Sequence, residues 1–572
     1  MRAAEAIVAM LKAYDVEYIF GVPGDTSTSL YDALFTARDA ITHVLARDER
    51  AAAFMADAYA RLSGKPGVCE APSGAGASYL LPGLAEANGS SIPLIALTTD
   101  IPLAAEGRNV LTEMDQAGLF APVTKWRTTL RRGEMTTEVV RKAFRLATSG
   151  RAGAVQVTLP KDVLDEEVGE HSLHAEPACL RYPAYRIGPD LETLAHAAEA
   201  LIAARRPVIV AGGGVVISGA HAELTALAEL ISSPVGTSIN GQGSLGASHP
   251  LSLGVVGGNG ARPYANDIVA QADLVFFIGC RTDSVTTLDW TLPSSQGDVA
   301  ILQMDIDPGE LGNSYPVLVG LVSDAKLGLA GLVGAIRDQL ATGDGHHSRE
   351  PWADIAGLRE TWWQSEQPRI RSDASPIKPQ RILDTISRLF PPEGVIVADA
   401  GTPTPYVSAF YRCPAGRHVV IPRAYGGLGY AIPGVIGAKL ARPTAPVLGL
   451  MGDGSFAMSA GDLETIARLG LPVTLINFNN ASFGWIKALQ HLYQDRRYFS
   501  VDFSTDTDHA GIARAFGLEG TRVEDPADFE AVLGNALSSQ RPTLIDVVTA
   551  CEVDEIPPVH KWLQDVEGIL GH

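Results

Sequence analysis

Two side chains raise the question of chemistry first: Asp453, in Gly452-Asp453-Gly454, and Asn480, in Asn479-Asn480. The first follows the apolar run PVLGLM, and the second follows PVTLINF. Short apolar runs that stop at turn residues read as buried strands, and the stretch DLETIARLG between them reads as a helix. Such a strand–helix–strand unit sets the carboxyl ends of two parallel strands side by side, where open α/β sheets bind ligands. A carboxylate beside a carboxamide offers hard oxygen donors. These suit Mg²⁺, which takes few protein groups and completes its shell from phosphate and water. The glycines let the backbone approach a diphosphate closely and turn N–H groups towards it. Either short motif alone fits an ordinary βαβ unit with a turn at each end. Their joint occurrence at the ends of successive strands points to a cation-bridged diphosphate.

The strands that deliver these residues belong to the last of three similar units. Residues 1–175 alternate the strand signals VEYIFGVPG, GVCEAPSGAG, PLIALTTD and AVQVTLP with helical stretches, which predicts a doubly wound parallel sheet. The pattern lapses in the Pro-containing HSLHAEPACLRYPAYRIGPD. A second unit over 190–340 carries PVIVAGGGV, PVGTSI, ADLVFFIGCR and AILQMDIDP, and the polar ATGDGHHSREP follows it. A third unit over 375–550 carries GVIVADAG, PVLGLMGDG, PVTLINFNN and TLIDVVTA, and residues 551–572 form a Pro-broken tail. The expected fold class is α/β, with three doubly wound parallel-sheet domains. The length of 572 residues agrees with three domains of about 100–200 residues each.

Composition narrows the function classes. Hydrophobic residues make up 46% and charged residues 19%, the balance of a soluble globular protein. A net charge of −20 argues against non-specific binding to nucleic acid or to an anionic membrane. No run approaches the ~20 apolar residues of a membrane span. The N-terminal MRAAEAIVAMLKAYDVEY lacks a signal-peptide pattern and reads as an amphipathic helix. The scattered cysteines Cys69, Cys179, Cys280, Cys413 and Cys551 form no CxxC pair. They read as reduced and structural, in a cytoplasmic protein.

The stretch from Gly452 to Asn480 resembles the thiamine diphosphate (ThDP) signature of the acetolactate synthase/pyruvate decarboxylase superfamily. The resemblance covers nearly the whole chain, whose units match the superfamily's pyrimidine-binding, central and diphosphate-binding domains. It implies Mg²⁺ ligands in the Asp453 carboxylate, the Asn480 side chain and the backbone carbonyl of Ser482, with phosphate contacts from Gly454 and Ser455. The segment ARDERAAAFMADAYARLSGKPG is similar to the one that carries the family's cofactor-activating glutamate, here Glu49. On the residues alone, Glu49 is a first-turn acid that favours a helix dipole. The resemblance implies that it hydrogen-bonds N1′ of the aminopyrimidine, so that the 4′-imino nitrogen can take the proton from C2. Asp48 stands where the family has a histidine. The stretch from Gly426 to Pro433 matches the loop whose bulky apolar residue, here Leu428, bends the cofactor into a V. The Gly426 carbonyl there would accept from the 4′-amino group. Asp399-Ala400-Gly401-Thr402 matches the first diphosphate loop, which implies phosphate contacts from the Thr402 and Thr404 hydroxyls.

Other positions bear on the reaction. Asp25, in FGVPGD, matches an active-site aspartate of pyruvate-decarboxylase-like members; capping of the following turn explains it equally. Those members also need a His-His pair, and the matching stretch 108–115 has no histidine. Thr112 falls where acetolactate synthases place a glutamine. Simple decarboxylases carry a glutamate where Ile486 falls. An apolar residue there implies slow protonation of the enamine intermediate, which is then left for a second electrophile. Leu489 replaces a tryptophan of the biosynthetic synthase, and Thr112, Trp485 and Ile486 are the candidate substrate contacts. In the central unit AGGGVVISGA does not fit GxGxxG. ADLVFFIGCRTDS resembles an FAD-contacting segment, with Arg281 matching an arginine there, although relatives use this domain for FAD, for ADP or for nothing. The expectation is a ThDP- and Mg²⁺-dependent 2-oxo acid decarboxylase/carboligase of acetolactate-synthase-like type, with Glu49 and Asp25 as catalytic residues. The alternatives are a non-ligating decarboxylase or C–C lyase of the same superfamily, or a ThDP-binding protein without catalysis. In the superfamily the glutamate of one subunit meets the diphosphate domain of another, so a homodimer or homotetramer is expected.

Overall fold

A computed structural model describes residues 1–169, 173–294, 297–341, 349–503 and 507–570 of the chain. Three six-stranded sheets organise it, and every strand pairing within them is parallel. The first comprises β1 (Tyr18–Gly21), β2 (Thr42–Leu45), β3 (Gly67–Ala71), β4 (Leu94–Asp100), β5 (Trp126–Thr129) and β6 (Ala154–Pro160), in the order β2-β1-β3-β4-β6-β5. The second comprises β7 (Pro207–Ala211), β8 (Val235–Thr237), β9 (Ser252–Val255), β10 (Leu274–Ile278), β11 (Ala300–Asp305) and β12 (Val319–Val322), in the order β12-β11-β10-β7-β8-β9. The third comprises β13 (Val395–Ala398), β14 (Val419–Val420), β15 (Val447–Gly452), β16 (Thr474–Asn479), β17 (Glu519–Val523) and β18 (Thr543–Val548), in the order β14-β13-β15-β16-β18-β17. Their central strands are buried end to end, as expected when both faces of a parallel sheet are covered. The α/β architecture read from the sequence is the one observed. The polar stretch between the second and third units falls largely on 342–348, outside the described residues.

The first and third domains share one core. The helix Glu49–Ser63 starts at Asp48, whose carboxylate accepts from the Arg50 N–H at 2.8 Å, and ends at Gly64 in the left-handed conformation. Its Ala-rich face packs on the helix Ala431–Ala441 so closely that a Cβ on Gly437 would lie 2.0 Å from the Met55 carbonyl oxygen. Phe54, Tyr430, Val435 and Leu463 fill the seam. Arg61, 11% exposed, reaches into it and is bonded to Asp57 at 2.8 Å and to Glu86 at 3.0 Å.

The stretch DLETIARLG is helical, as its pattern predicts, and a further short helix precedes it. A helix Asp453–Ser459 begins at Asp453 itself, a 3-10 turn covers Ala460–Asp462, and a second helix runs Leu463–Leu469. The break has a cause in packing. The buried Asp462 carboxylate accepts from the Arg47 N–H at 3.0 Å and from Thr465 Oγ1 at 2.9 Å, tying the turn to the first domain. The tail is tied down as well, through a bridge between Asn259 and Val559 and a contact of Trp485 with Trp562 at 4.5 Å between ring centres.

Candidate active site

Successive strands leave β13 in opposite directions, to β14 on one side and to β15 and β16 on the other. That reversal opens a crevice at the carboxyl ends of β13 and β15, the place where doubly wound sheets take ligands. A cavity of about 330 Å³ lies there. Gly401 and Thr402 line it from the end of β13, Gly452 to Ser455 from β15, and Asn480 and Ser482 from β16. Gly426, Leu428, Trp485 and Ile486 complete the apolar wall. The Leu428 side chain is only half-buried, and Ile486 is 46% exposed, so neither is spent on the core.

Hydrogen bonds link Asp453, Asn480 and Ser482. Asp453 Oδ2 accepts from the Asn480 N–H at 3.0 Å, and Oδ1 accepts from Asn477 Nδ2 at 3.1 Å. Burial raises the Asp453 carboxyl above its usual range, an effect that the nearby His509 opposes. Asn480 Oδ1 accepts from the Ser482 N–H at 3.2 Å and from its hydroxyl at 3.0 Å, which brings the Ser482 backbone to the amide oxygen. Gly401 and Gly426 have φ of +92° and +73°, and a Cβ on either would meet nothing within 4 Å. Bare, left-handed backbone of this kind can cradle an anion. Hard donors at one end and a glycine cradle beside them fit a Mg²⁺-bridged diphosphate.

Groups that sequence reasoning passed over hold this constellation. Glu552, 2% exposed, accepts from Asn480 Nδ2 at 2.8 Å through Oε2 and from the Thr402 hydroxyl through Oε1. It lines the cavity from the tail and fills the space above Gly484, where a Cβ would meet it at 1.6 Å. Its place just past the end of β18 was the only available signal. Asp399, fully buried, accepts from the backbone N–H groups of Ala400 at 3.0 Å, Gly429 at 3.2 Å and Ala431 at 2.9 Å. It fixes the far side of the Leu428 loop. Glu86, from the first domain, accepts from the N–H groups of Ala424, Tyr425 and Gly426 on the near side. Behind Asp453 lies a buried set of Asn477, Asn479, His509 and Asp546, in which Asn479 Nδ2 donates to Asp546 at 3.0 Å. Asn479 therefore faces inward while Asn480 faces the cavity.

Of the other expected residues, Thr404 is buried and its hydroxyl donates to the Asp399 carbonyl at 2.9 Å, off the cavity wall. Leu489, at the position of the synthase tryptophan, packs beside Trp562, and the neighbouring Lys487 is paired with Asp502 at 2.6 Å. Asp25, Glu49 and Thr112 gather elsewhere, past the carboxyl ends of the first sheet's strands. Glu49 Oε1 would lie 2.9 Å from a Cβ on Gly76, and Thr112, at φ 71°, bonds Ser73 Oγ at 2.7 Å. Asp25 is exposed at the start of a 3-10 turn. Burial raises the Glu49 carboxyl, and the Asp48 and Glu70 charges add to that. Among the described residues, none of the first domain lines the third domain's cavity in the same chain.

A second cavity, of about 140 Å³, lies between the first and central domains. Gly213, Gly214, Gly279, Arg281 and Asp305 line it from the carboxyl ends of β7, β10 and β11, and Arg151 lines it from the first domain. Burial pushes Asp305 up to about 6. Among the described residues no helix is long and apolar enough to cross a membrane.

Three doubly wound domains, with a glycine- and oxygen-lined crevice at the switch point of the third, define a protein built to hold a phosphorylated cofactor. Family comparison agrees, domain by domain. The thiamine pyrophosphate enzyme N-terminal TPP binding domain matches residues 1–119, the central domain 194–332 and the C-terminal TPP binding domain 399–547. The chain is 36% identical over 583 residues to a probable acetolactate synthase large subunit of Methanocaldococcus jannaschii, covering 100% of this chain and 96% of that one. It is 33% identical to the protein of the same description from Methanococcus aeolicus, with 100% and 96% covered. With the acetolactate synthase isozyme 3 large subunit of Escherichia coli it shares 31% identity over 547 residues, with 95% and 93% covered. The chain is a ThDP-dependent enzyme and belongs to the acetolactate-synthase-like family.

Proposed function

We propose that this enzyme is a Mg²⁺- and ThDP-dependent carboligase that decarboxylates a 2-oxo acid and joins the remaining acyl unit to an acceptor carbonyl. The observation that supports it most is the apolar Ile486 standing exposed in the wall of the oxygen- and glycine-lined cavity. Asp453, Asn480 and Ser482 would hold the cation, and Gly401, Thr402, Gly454 and Ser455 the diphosphate. Bound there, ThDP supplies a nucleophilic carbon and an electron sink.

The chain's own groups do the rest. Leu428 would support the cofactor from the cavity wall, and the Gly426 carbonyl would accept from its amino group. Glu49, its carboxyl raised by burial, would hold a proton at Oε for the cofactor's ring nitrogen. The separation of Glu49 from the cavity of its own chain favours a homodimer or homotetramer in which a second copy supplies it. Trp485, Ile486 and Thr112 border the substrate, and Ile486 offers no proton to the reacting carbon. Asp25 lies on the Glu49 face as a candidate relay. In the central domain, Gly213, Gly214 and Asp305 suit the phosphates and ribose of an adenine nucleotide, FAD or ADP. The cysteines are all free, which suits a reducing compartment such as the cytoplasm.

The test is reconstitution. Dialysed enzyme is given ThDP, Mg²⁺ and pyruvate or another 2-oxo acid, both products are identified, and absorbance near 450 nm reports flavin. Ligated hydroxy-keto acid is expected. Free aldehyde with no ligated product would replace carboligation by simple decarboxylation.

A further inference from the structure

Arg423 stands in the wall of the same cavity, on the loop that runs from β14 to Leu428. Among the described residues its guanidinium has no hydrogen-bond or ion-pair partner. Arg423 is half-buried, and comparable or deeper arginines of this chain are matched: Arg61 by Asp57 and Glu86, and Arg262 by the Ala409 carbonyl at 2.9 Å. Burial lowers the Arg423 pKa, and the opposing charges of Asp283 and Glu86 offset this only in part. Both of those carboxylates are already engaged. Asp283 holds the N–H groups of Val285 and Thr286, and Glu86 holds Arg61 and the 424–426 backbone. A partly desolvated guanidinium without a partner carries a cost, and its planar fork matches a carboxylate in two parallel hydrogen bonds.

Two anions enter this cavity if the proposed function holds, and the inference rests on that reading: the cofactor diphosphate and a substrate carboxylate. Arg423 lies on the loop between β14 and Leu428, whereas the cation end of the cavity is built from Asp453 at β15, Asn480 at β16 and Glu552 in the tail. That favours the substrate. The donor's carboxylate departs as CO₂, so a cation clamped on it would stabilise the ground state over the transition state and slow the reaction. The acceptor's carboxylate keeps its charge throughout. We infer that Arg423 is the anion-binding residue of the substrate cavity, and that it selects an acceptor 2-oxo acid by its carboxylate over a neutral aldehyde.

The test compares Arg423→Met with wild type. Enzyme loaded with ThDP and Mg²⁺ is titrated with oxamate, an unreactive anionic 2-oxo acid mimic, and with the neutral oxamide. Calorimetry or tryptophan emission reports binding, since Trp485 lines the cavity. Oxamate affinity should fall at least about 30-fold in the variant, the effect of removing one partner of a desolvated charge pair. Oxamide and ThDP affinities should hold, and in turnover ligation should shift from 2-oxo acid acceptors to acetaldehyde. Unchanged oxamate affinity overturns the inference. Weaker ThDP binding with unchanged oxamate affinity also overturns it, and assigns Arg423 to the diphosphate. Arg423→Gln serves the same comparison if the Met variant does not fold. A wild-type protein that binds no ThDP would sink the proposed function instead, and oxamate titration of the unloaded protein would still decide the role of Arg423.

Discussion

Glu86→Gln tests whether the first domain holds the loop that carries Leu428. The Glu86 carboxylate is fully buried. It accepts from Arg61 Nη2 at 3.0 Å, Ser90 Oγ at 2.6 Å and the Tyr425 N–H at 2.8 Å, with longer bonds from Ala424 at 3.3 Å and Gly426 at 3.4 Å. A hydrogen bond to a charged group contributes about 1.5–3 kcal/mol, and the two long ones contribute less. Glutamine keeps one acceptor oxygen but turns an NH₂ towards groups that are all donors. Arg61 loses one of its two carboxylates and keeps Asp57 at 2.8 Å. The expected loss is about 2–4 kcal/mol of stability, a large share of the roughly 5–15 kcal/mol that holds a folded protein together. If about 1–2 kcal/mol of that falls on restoring the loop around the cofactor, ThDP affinity drops about 5–30-fold. Thermal unfolding without ligand and ThDP titration in Mg²⁺ read the two effects separately. A variant with wild-type melting and wild-type ThDP affinity would refute the reasoning. Lowered melting with unchanged ThDP affinity would confine Glu86 to the domain seam.

Two further outcomes are expected. Glu552→Ala frees the Asn480 amide and should raise the Mg²⁺ concentration for half-saturation by about 10–100-fold, as loss of a group that orients a metal ligand does. Glu552→Gln, which can still accept from Asn480, should change it less, and Mg²⁺ titration at fixed ThDP ranks the two. Burial pushes Asp399 up to about 6, above the value of about 3.9 in an unfolded chain. The folded state keeps this proton where the unfolded state has lost it, so the group's contribution to stability falls as pH rises from about 4 to about 6 and is level above that. The fall is about 2–3 kcal/mol by linkage. Asp305 and Asp462, also pushed up to about 6, add slopes of the same sign. The readout is therefore the difference between wild type and Asp399→Asn in urea unfolding across pH 4–7, and equal slopes would contradict the assignment.

The four inner strands of each sheet were legible because a buried parallel strand is a short apolar run between turn residues, whereas the edge strands β2, β5, β9, β12, β14 and β17 were not read. Of these, β2, β5, β12 and β17 are partly exposed, and β2, β5 and β17 carry no such run. Asp453 and Asn480 were legible because strand ends are marked by the same turns. Their supports were not. Glu86, Asp399 and Glu552 act by accepting from backbone or amide groups far away in sequence, and nothing local distinguishes such an acid from a solvated one. The two asparagines of the pair look alike in sequence. Strand alternation turns Asn479 to the buried His509–Asp546 set and leaves Asn480 at the cavity. Thr402 and Thr404 look equivalent too, but one lines the cavity and the other closes its own turn on Asp399. Arg423 escaped notice because its significance lies in the partners it lacks.

On the proposed function, Glu49 and the Asp453 crevice form one catalytic centre contributed by two copies of the chain. Co-expression of Glu49→Gln chains with Asp453→Ala chains tests it directly. Each variant alone should be inactive. Randomly paired dimers should recover about a quarter of wild-type activity, since half of them carry one intact site of two. A mixture no more active than either variant alone would mean that no intact site forms between copies, and would contradict the account.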